Sequence, residues 1–209
     1  MPVQCPLCLS GAASQWLQLD RDYWNCDVCA LVFVFPEQRP THDEEVDRYR
    51  LHQNSGDDPG YLKFLARLAD PMIARVPVGA SGLDYGCGPT PALAQLLTGS
   101  GRPTASYDPV FAPDAALLDR RYDFVTCSEV VEHAHDPLAL FRALARLVNI
   151  GGHIGVMTKW YDDVDFATWS YRRDVTHVCF YSVETMRWIA EHFRWTLATP
   201  APDIAVFKA

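Results

Sequence analysis

Leu83-Asp84-Tyr85-Gly86-Cys87-Gly88-Pro89-Thr90 decides the fold of this chain. A short run from Ser81 to Tyr85 leads into it, and a helix-forming run from Pro91 to Leu97 leads out. Two glycines between a strand and a helix let a ligand approach the backbone closely. The helix beyond offers free N–H groups and the positive end of a dipole. Downstream, strand and helix patterns alternate, which predicts a parallel α/β sheet. The second strand, Thr104 to Tyr107, ends at Asp108, twenty residues after Gly88. A Rossmann-like site places a carboxylate there to accept hydrogens from ribose hydroxyls.

The middle of this region is short. Only fourteen residues separate Asp108 from Asp123, and Pro109 and Pro113 interrupt them. A shortened or missing third strand is expected, with Phe111 and Asp114 as candidates for an adenine pocket. The next strand, Phe124 to Cys127, ends at Ser128-Glu129. Asp136-Pro137 reads as the cap and first residue of a helix through Val148. Gly151-Gly152 is read as a turn into a strand from His153 to Thr158. Ser182 is expected to cap a helix from Val183 to Phe193. Trp195–Ala198 and Ile204–Lys208 are expected to close the sheet as an antiparallel hairpin.

Upstream, Cys5-x-x-Cys8 and Cys26-x-x-Cys29 are seventeen residues apart. Two such knuckles supply four thiolates to a tetrahedral Zn²⁺ with no open position, so the metal would be structural. Disulfides or free thiols are the alternative. Residues 1–36 are too few for a core of their own, and metal binding would supply folding free energy. Strands around Trp16–Leu19 and Leu31–Phe35 suggest a small β ribbon. Residues 37–78 read as a helical linker. Thr41 or Asp43 would cap its first helix, to about Asn54. A second would start near Tyr61 and break at Pro71. Tyr49, His52 and Tyr61 are candidates for the pocket or for ordinary packing.

The 209 residues carry a formal charge of −8. The first sixty hold ten acidic and four basic side chains. That balance argues against a broad grip on nucleic acid. No apolar run is long enough to span a bilayer. Met1-Pro2-Val3-Gln4-Cys5 lacks the basic start and apolar centre of a signal peptide, so a cytoplasmic location is expected.

Leu83–Gly88, Asp108, Tyr122-Asp123-Phe124-Val125, Glu129-Val130-Val131-Glu132-His133 and Gly151-Gly152 together resemble the successive motifs of class I S-adenosylmethionine (SAM) methyltransferases of the type 11/12/23 kind. Arg173-Asp174-Val175-Thr176-His177 before Phe180-Tyr181-Ser182 is similar to that family's later helix entry. The resemblance covers about 81–209, and residues 79–209 are read as the methyltransferase domain. It implies a Rossmann-like α/β sheet, with Gly86 and Gly88 against the methionyl part of SAM. Asp84 would touch the cofactor directly or through water, and Asp108 would hold the ribose. Tyr85, Ser128 and Glu129 would complete the cofactor side. Thr90 departs from that family, which usually has a third glycine there, while Pro91 stands where the G-x-G-x-x-G of a nicotinamide dehydrogenase would need glycine.

The chemistry would fall to Glu132, His133 and His177. Glu129, Glu132 and His133 have the spacing of one helical turn. Acid–base catalysis, a second divalent cation and a purely structural role are all open. Glu129-x-x-Glu132-His133 with His177 is similar to the metal site of plant-type small-RNA 2′-O-methyltransferases, where a cation would polarise a hydroxyl. Residues 159–176, rich in aromatics, are either a substrate-covering loop or a packed insertion. Methyl transfer to a small-molecule acceptor is the expected activity. A SAM-binding scaffold that uses the ribbon to recruit a protein, and a metal-assisted RNA methyltransferase, are the alternatives.

Overall fold

A computed structural model describes residues 3–50, 56 and 58–209. Ten strands form two sheets among them. The ribbon contributes β1 (Ala13–Gln18), β2 (Asp22–Cys26) and β3 (Val32–Val34). Then come α1 (His42–Arg50) and α2 (Pro59–Ile73). The α/β region follows as β4 (Gly82–Tyr85), α3 (Ala92–Gly99), β5 (Thr104–Tyr107), β6 (Tyr122–Ser128), α4 (Pro137–Leu147) and β7 (Val148–Met157). It closes with β8 (Cys179–Phe180), α5 (Val183–Phe193), β9 (Thr196–Ala201) and β10 (Ile204–Lys208).

The larger sheet has the order β5-β4-β6-β7-β10-β9. Its first four strands run parallel, and β10 and β9 are antiparallel additions. Between Asp108 and Tyr122 the described chain forms one isolated bridge, Asp108 to Ala112, and a 3₁₀ turn at Ala115–Asp119. The third strand is therefore missing, and β5 is the sheet edge.

Side chains set the layers. Leu65, Leu68 and Met72 of α2 and Leu93 and Leu97 of α3 pack with Phe124, Met157 and Val206 on one face. Phe141 and Leu144 of α4 and Met186 and Ile189 of α5 pack with Val125, Ile154, Val156 and Phe207 on the other. Close approach is built in at Gly155, where a Cβ would lie 2.7 Å from Met72 Sδ.

Caps fix the helix starts. Asp136 accepts from Ala139 N, and Ser182 and Thr185 form a reciprocal capping box. Thr41, not Asp43, caps α1: its backbone N–H donates to Glu44 Oε2 at 2.8 Å, and Glu44 N returns to its hydroxyl. Two local expectations are corrected. Pro71 lies inside α2, which runs on to Ile73, because buried Leu68 and Met72 hold the last turn against the sheet despite the lost N–H. Gly151 and Gly152 lie within β7, which starts at Val148. The strand stays paired because Gly152 leaves room for the Asp123 carbonyl, which would stand 2.6 Å from a Cβ.

The smaller sheet has the order β1-β2-β3-β8, so its last strand comes from beyond residue 178. Buried Leu7, Tyr23 and Phe33 belong to one continuous core with Phe141, Met186 and Ile189. β2 has no apolar alternation to announce it; Cys26 at its end is both strand residue and knuckle residue.

Candidate active site

At the end of β4 the chain turns through Gly86 (φ +79°) and Gly88 (φ +65°). Left-handed backbone here is accessible to glycine at little cost. The Gly86 N–H donates to the Tyr107 carbonyl at 2.8 Å, which locks the turn to β5. A Cβ on Gly86 would meet Val130 Cγ2 at 2.4 Å. Asp108, at the end of β5, is buried and accepts three backbone N–H groups. Gly88 donates to Oδ2 at 3.0 Å, and Val110 and Phe111 donate to Oδ1 at 2.8 and 2.9 Å. Asp84 is buried beneath the turn and accepts from the Thr126 hydroxyl at 2.8 Å. Burial, then the nearby Asp108 charge, pushes its carboxyl up to about 7 against the pull of Thr126.

These residues open onto a cavity of about 690 Å³. Asp84, Tyr85, Gly86, Gly88, Asp108, Ser128 and Glu129 all line it, as do His133 and His177. Tyr49, Tyr61 and Phe111 also face it. Asp114 does not; it caps the 3₁₀ turn by accepting from Ala116 N. His52 lies outside the described residues. The α1 helix is held beside the cavity by Arg48 to Asp174 (3.1 Å), by His135 to Glu45 (2.9 Å) and by Tyr49 edge-on to His133.

The acidic and imidazole groups meet differently from the spacing argument. Glu129 is left-handed (φ +52°), and only Val131–His133 form a turn, of 3₁₀ type. That reversal places Glu129 apart from its expected neighbours. One ligand atom each of Glu132, His133 and His177 lies within 4.8 Å of the others. Glu129 is joined to them through Tyr171, which the aromatic content of 159–176 hid as a site residue. The Tyr171 hydroxyl donates to Glu132 Oε1 at 2.6 Å and lies 3.4 Å from Glu129 Oε2. Burial and the neighbouring Glu132 push Glu129 up to about 9.

His177 Nδ1 is 2.7 Å from the Tyr171 carbonyl, and His133 Nδ1 is 3.1 Å from the Thr176 carbonyl. A carbonyl only accepts, so each Nδ1 carries a proton, and in the neutral ring Nε2 is the nitrogen that presents a lone pair. Burial holds His177 down to about 4, so it is neutral near pH 7. Glu132 is fully buried, and its Oε2 has no hydrogen-bond partner among the described residues.

The rest of the aromatic stretch is packed. Phe166 is buried against Tyr23 and Phe180, at ring distances of 5.0 and 5.1 Å.

In the ribbon, Cys5 to Leu9 and Cys26 to Ala30 make the same turn. The fourth residue after each first cysteine is left-handed and donates its N–H back to that cysteine's carbonyl. The four Sγ atoms lie within 4.8 Å of one another. Cys5 is held down to about 5 by the Cys29 thiol, and Cys29 is pushed far up in turn. Four clustered thiols cannot all ionise side by side without a cation between them, which is the donor chemistry of a tetrahedral zinc site.

A methyltransferase-domain family model matches residues 52–199. The chain belongs to that family. Its fold is the Rossmann-like one of class I SAM-dependent methyltransferases. The chain is 37% identical over 82 residues to a ubiquinone biosynthesis O-methyltransferase of Proteus mirabilis, covering 39% of this chain and 34% of the relative. It is 38% identical over 87 residues to that of Serratia proteamaculans, covering 42% and 36%. It thus spans about a third of the length of these curated relatives. Among solved structures, it resembles the 1,6-didemethyltoxoflavin-N1-methyltransferase of Burkholderia thailandensis, which was solved with 1,6-didemethyltoxoflavin and S-adenosylhomocysteine bound. The TM-score is 0.57 at 12% identity, over 92% of this chain and 97% of that one. An O-methyltransferase family protein from the same organism gives 0.51 at 16%, over 82% and 64%. No helix among the described residues is long and apolar enough to cross a membrane.

Proposed function

We propose that this methyltransferase transfers a methyl group from SAM to a hydroxyl of a small organic acceptor in the cytoplasm, and that Cys5, Cys8, Cys26 and Cys29 hold a structural zinc. One observation carries the reading: the glycine turn and Asp108 share a single cavity with His133 and His177, whose imidazoles cluster with the buried Glu132 behind them. Its volume lies in the range of small-molecule sites, roughly 300–1,000 Å³. The names of the curated relatives favour an oxygen acceptor. The acidic surface disfavours RNA, and a recruiting scaffold would have no need of a buried acid–imidazole cluster.

In this reading Asp108 accepts from the ribose hydroxyls, its carboxylate already aimed by three backbone donors. Gly86 and Gly88 let the methionyl part lie against the chain, and Asp84 faces its amino group. Tyr85, Ser128 and Glu129 complete this wall. SAM supplies an electrophilic methyl on sulfonium, so the protein's task is in-line placement and removal of the acceptor's proton. His133 Nε2 is the base that receives that proton. His177, kept neutral by burial, accepts a hydrogen bond and orients the hydroxyl. Glu132, beside both rings, steadies the imidazole that takes up the proton.

A second reading rests on the orphaned Glu132 Oε2. Two imidazole lone pairs and this buried oxygen form a donor set suited to a divalent cation, which would polarise the acceptor hydroxyl.

Two measurements test these readings. Isothermal titration of the zinc-loaded protein with SAM should show binding, and a screen of phenolic and other hydroxylated metabolites should show methyl transfer that Glu132→Gln and His133→Ala abolish. No SAM binding at tens of micromolar would sink the enzyme and the scaffold together. Metal analysis then separates base from cation. A divalent ion beyond the ribbon's zinc, lost in Glu132→Gln, supports the cation. One zinc per chain in both proteins, with activity indifferent to chelators, supports His133 as the base.

A further inference from the structure

The ribbon and the active-site loop exchange arginines. Arg21 stands in the turn between β1 and β2. Its Nη1 donates to the carbonyls of Val175 (2.9 Å) and His177 (3.2 Å). Its Nη2 donates to those of Arg172 (2.5 Å) and Asp174 (3.2 Å). In the other direction, Arg172 is 7% exposed and donates to the Asp20 carboxylate and to the Tyr23 hydroxyl, at 3.3 Å for the latter. The next residues are tied as well. Val34 N donates to the Val178 carbonyl, and Val178 N donates to the Glu132 carbonyl, each at 2.9 Å.

Four carbonyl dipoles pointing into one space repel each other unless a cation with several donors sits among them. A planar guanidinium meets that need, and a flexible ammonium does so poorly. Residues 172–177 form no strand pairing, and their own backbone bonds are local, such as His177 N to the Asp174 carbonyl at 3.1 Å. Such a segment opens readily unless tertiary contacts hold it. Yet it sets both His177, through its backbone, and His133, through the Thr176 carbonyl. The exchange crosses some 150 residues of sequence.

We propose that the cysteine ribbon is an internal clamp on the active-site loop, with Arg21 the positioning residue that fixes the backbone carrying Tyr171, Thr176 and His177. Ordering of the imidazole pair then depends on a ribbon hairpin that lies outside the cavity. This rests on the reading of His133 and His177 as the acceptor side. Loop order is measured without any acceptor, so failure of the clamp and failure of that reading are separable.

The test is amide hydrogen exchange on the full chain, with the imidazole ¹⁵N resonances as a second readout. In Arg21→Gln that retains one zinc, exchange over residues 171–178 should accelerate by about tenfold or more, since charge-assisted bonds are lost. The His177 Nδ1–H tautomer should give way to an averaged signal. Amides of β4 and β6 should stay protected, and SAM affinity should stay within about threefold. Asp20→Ala, at an exposed position, breaks only the reverse link and serves if Arg21→Gln does not fold. It should accelerate the same amides by about threefold. Unchanged exchange at 171–178 in either zinc-loaded variant, or an unchanged His177 tautomer in Arg21→Gln, overturns the clamp.

Discussion

Asp84→Asn should stabilise the cofactor-free protein, and only on the alkaline side. The carboxyl is buried, and burial raises it from 3.8 to about 7. Below about pH 4 the group is protonated in both folded and unfolded chains, so it imposes no penalty. Between about pH 4 and pH 7 the unfolded chain releases the proton and the folded one keeps it. Stability is therefore lost as pH rises through that window. Above the folded value both forms are ionised, and the loss levels off. A rise of roughly three units corresponds to up to about 4 kcal/mol. Asparagine removes the proton linkage and can still accept from Thr126. Urea unfolding of both proteins at pH 4.5 and pH 8.5, without SAM, reads the effect. The variant should gain little at the lower pH and up to about 4 kcal/mol at the higher. A difference between variant and wild type that is equal at the two pH values refutes the reasoning. SAM titration gives a second reading. Wild-type affinity should rise with pH towards about 7 as the carboxylate forms opposite the cofactor's amino group, and Asp84→Asn should lose both affinity and slope.

Two further substitutions probe the framework. Gly86→Ala places a Cβ 2.4 Å from Val130 at φ +79°. SAM affinity by titration should fall at least about tenfold, because the turn must move, at a cost of about 1–2 kcal/mol for the left-handed residue alone. Gly82→Ala puts a methyl 2.1 Å from the buried Phe124 ring. Denaturant unfolding should show a loss of about 1–3 kcal/mol, partly recovered by adding Phe124→Leu.

The sequence revealed what local chemistry dictates. Gly86 and Gly88 announce a left-handed turn, Asp108 marks the next strand end, and Cys5 to Cys29 spell out a knuckle pair within 25 residues. The scarcity of residues between Asp108 and Asp123 likewise told of a missing strand. What stayed hidden depends on distant partners. β8 is two residues long, and nothing in Cys179-Phe180 names β3 as its neighbour. Glu129 carries no mark of a left-handed backbone, so helical spacing was the wrong guide to Glu129, Glu132 and His133. Tyr171 looked like one aromatic among five, and its role emerges from two glutamates about forty residues upstream. Arg21 looked like a charge in an acidic segment; its four carbonyl partners all come from residues 172–177.

The mixed origin of the ribbon sheet constrains how the chain is born. Cys5 to Cys29 leave the ribosome well before β8, and both knuckles can close on their own residues. β3 then carries an open edge, because its partner Cys179–Phe180 is synthesised some 145 residues later. An apolar strand with unpaired backbone groups is an invitation to aggregate. During that interval Val32, Phe33 and Val34, fully buried in the finished protein, have no cover from β8. Expression yield should therefore hinge on how long the nascent ribbon waits, and slow translation between residues 36 and 178 is where soluble protein would be lost.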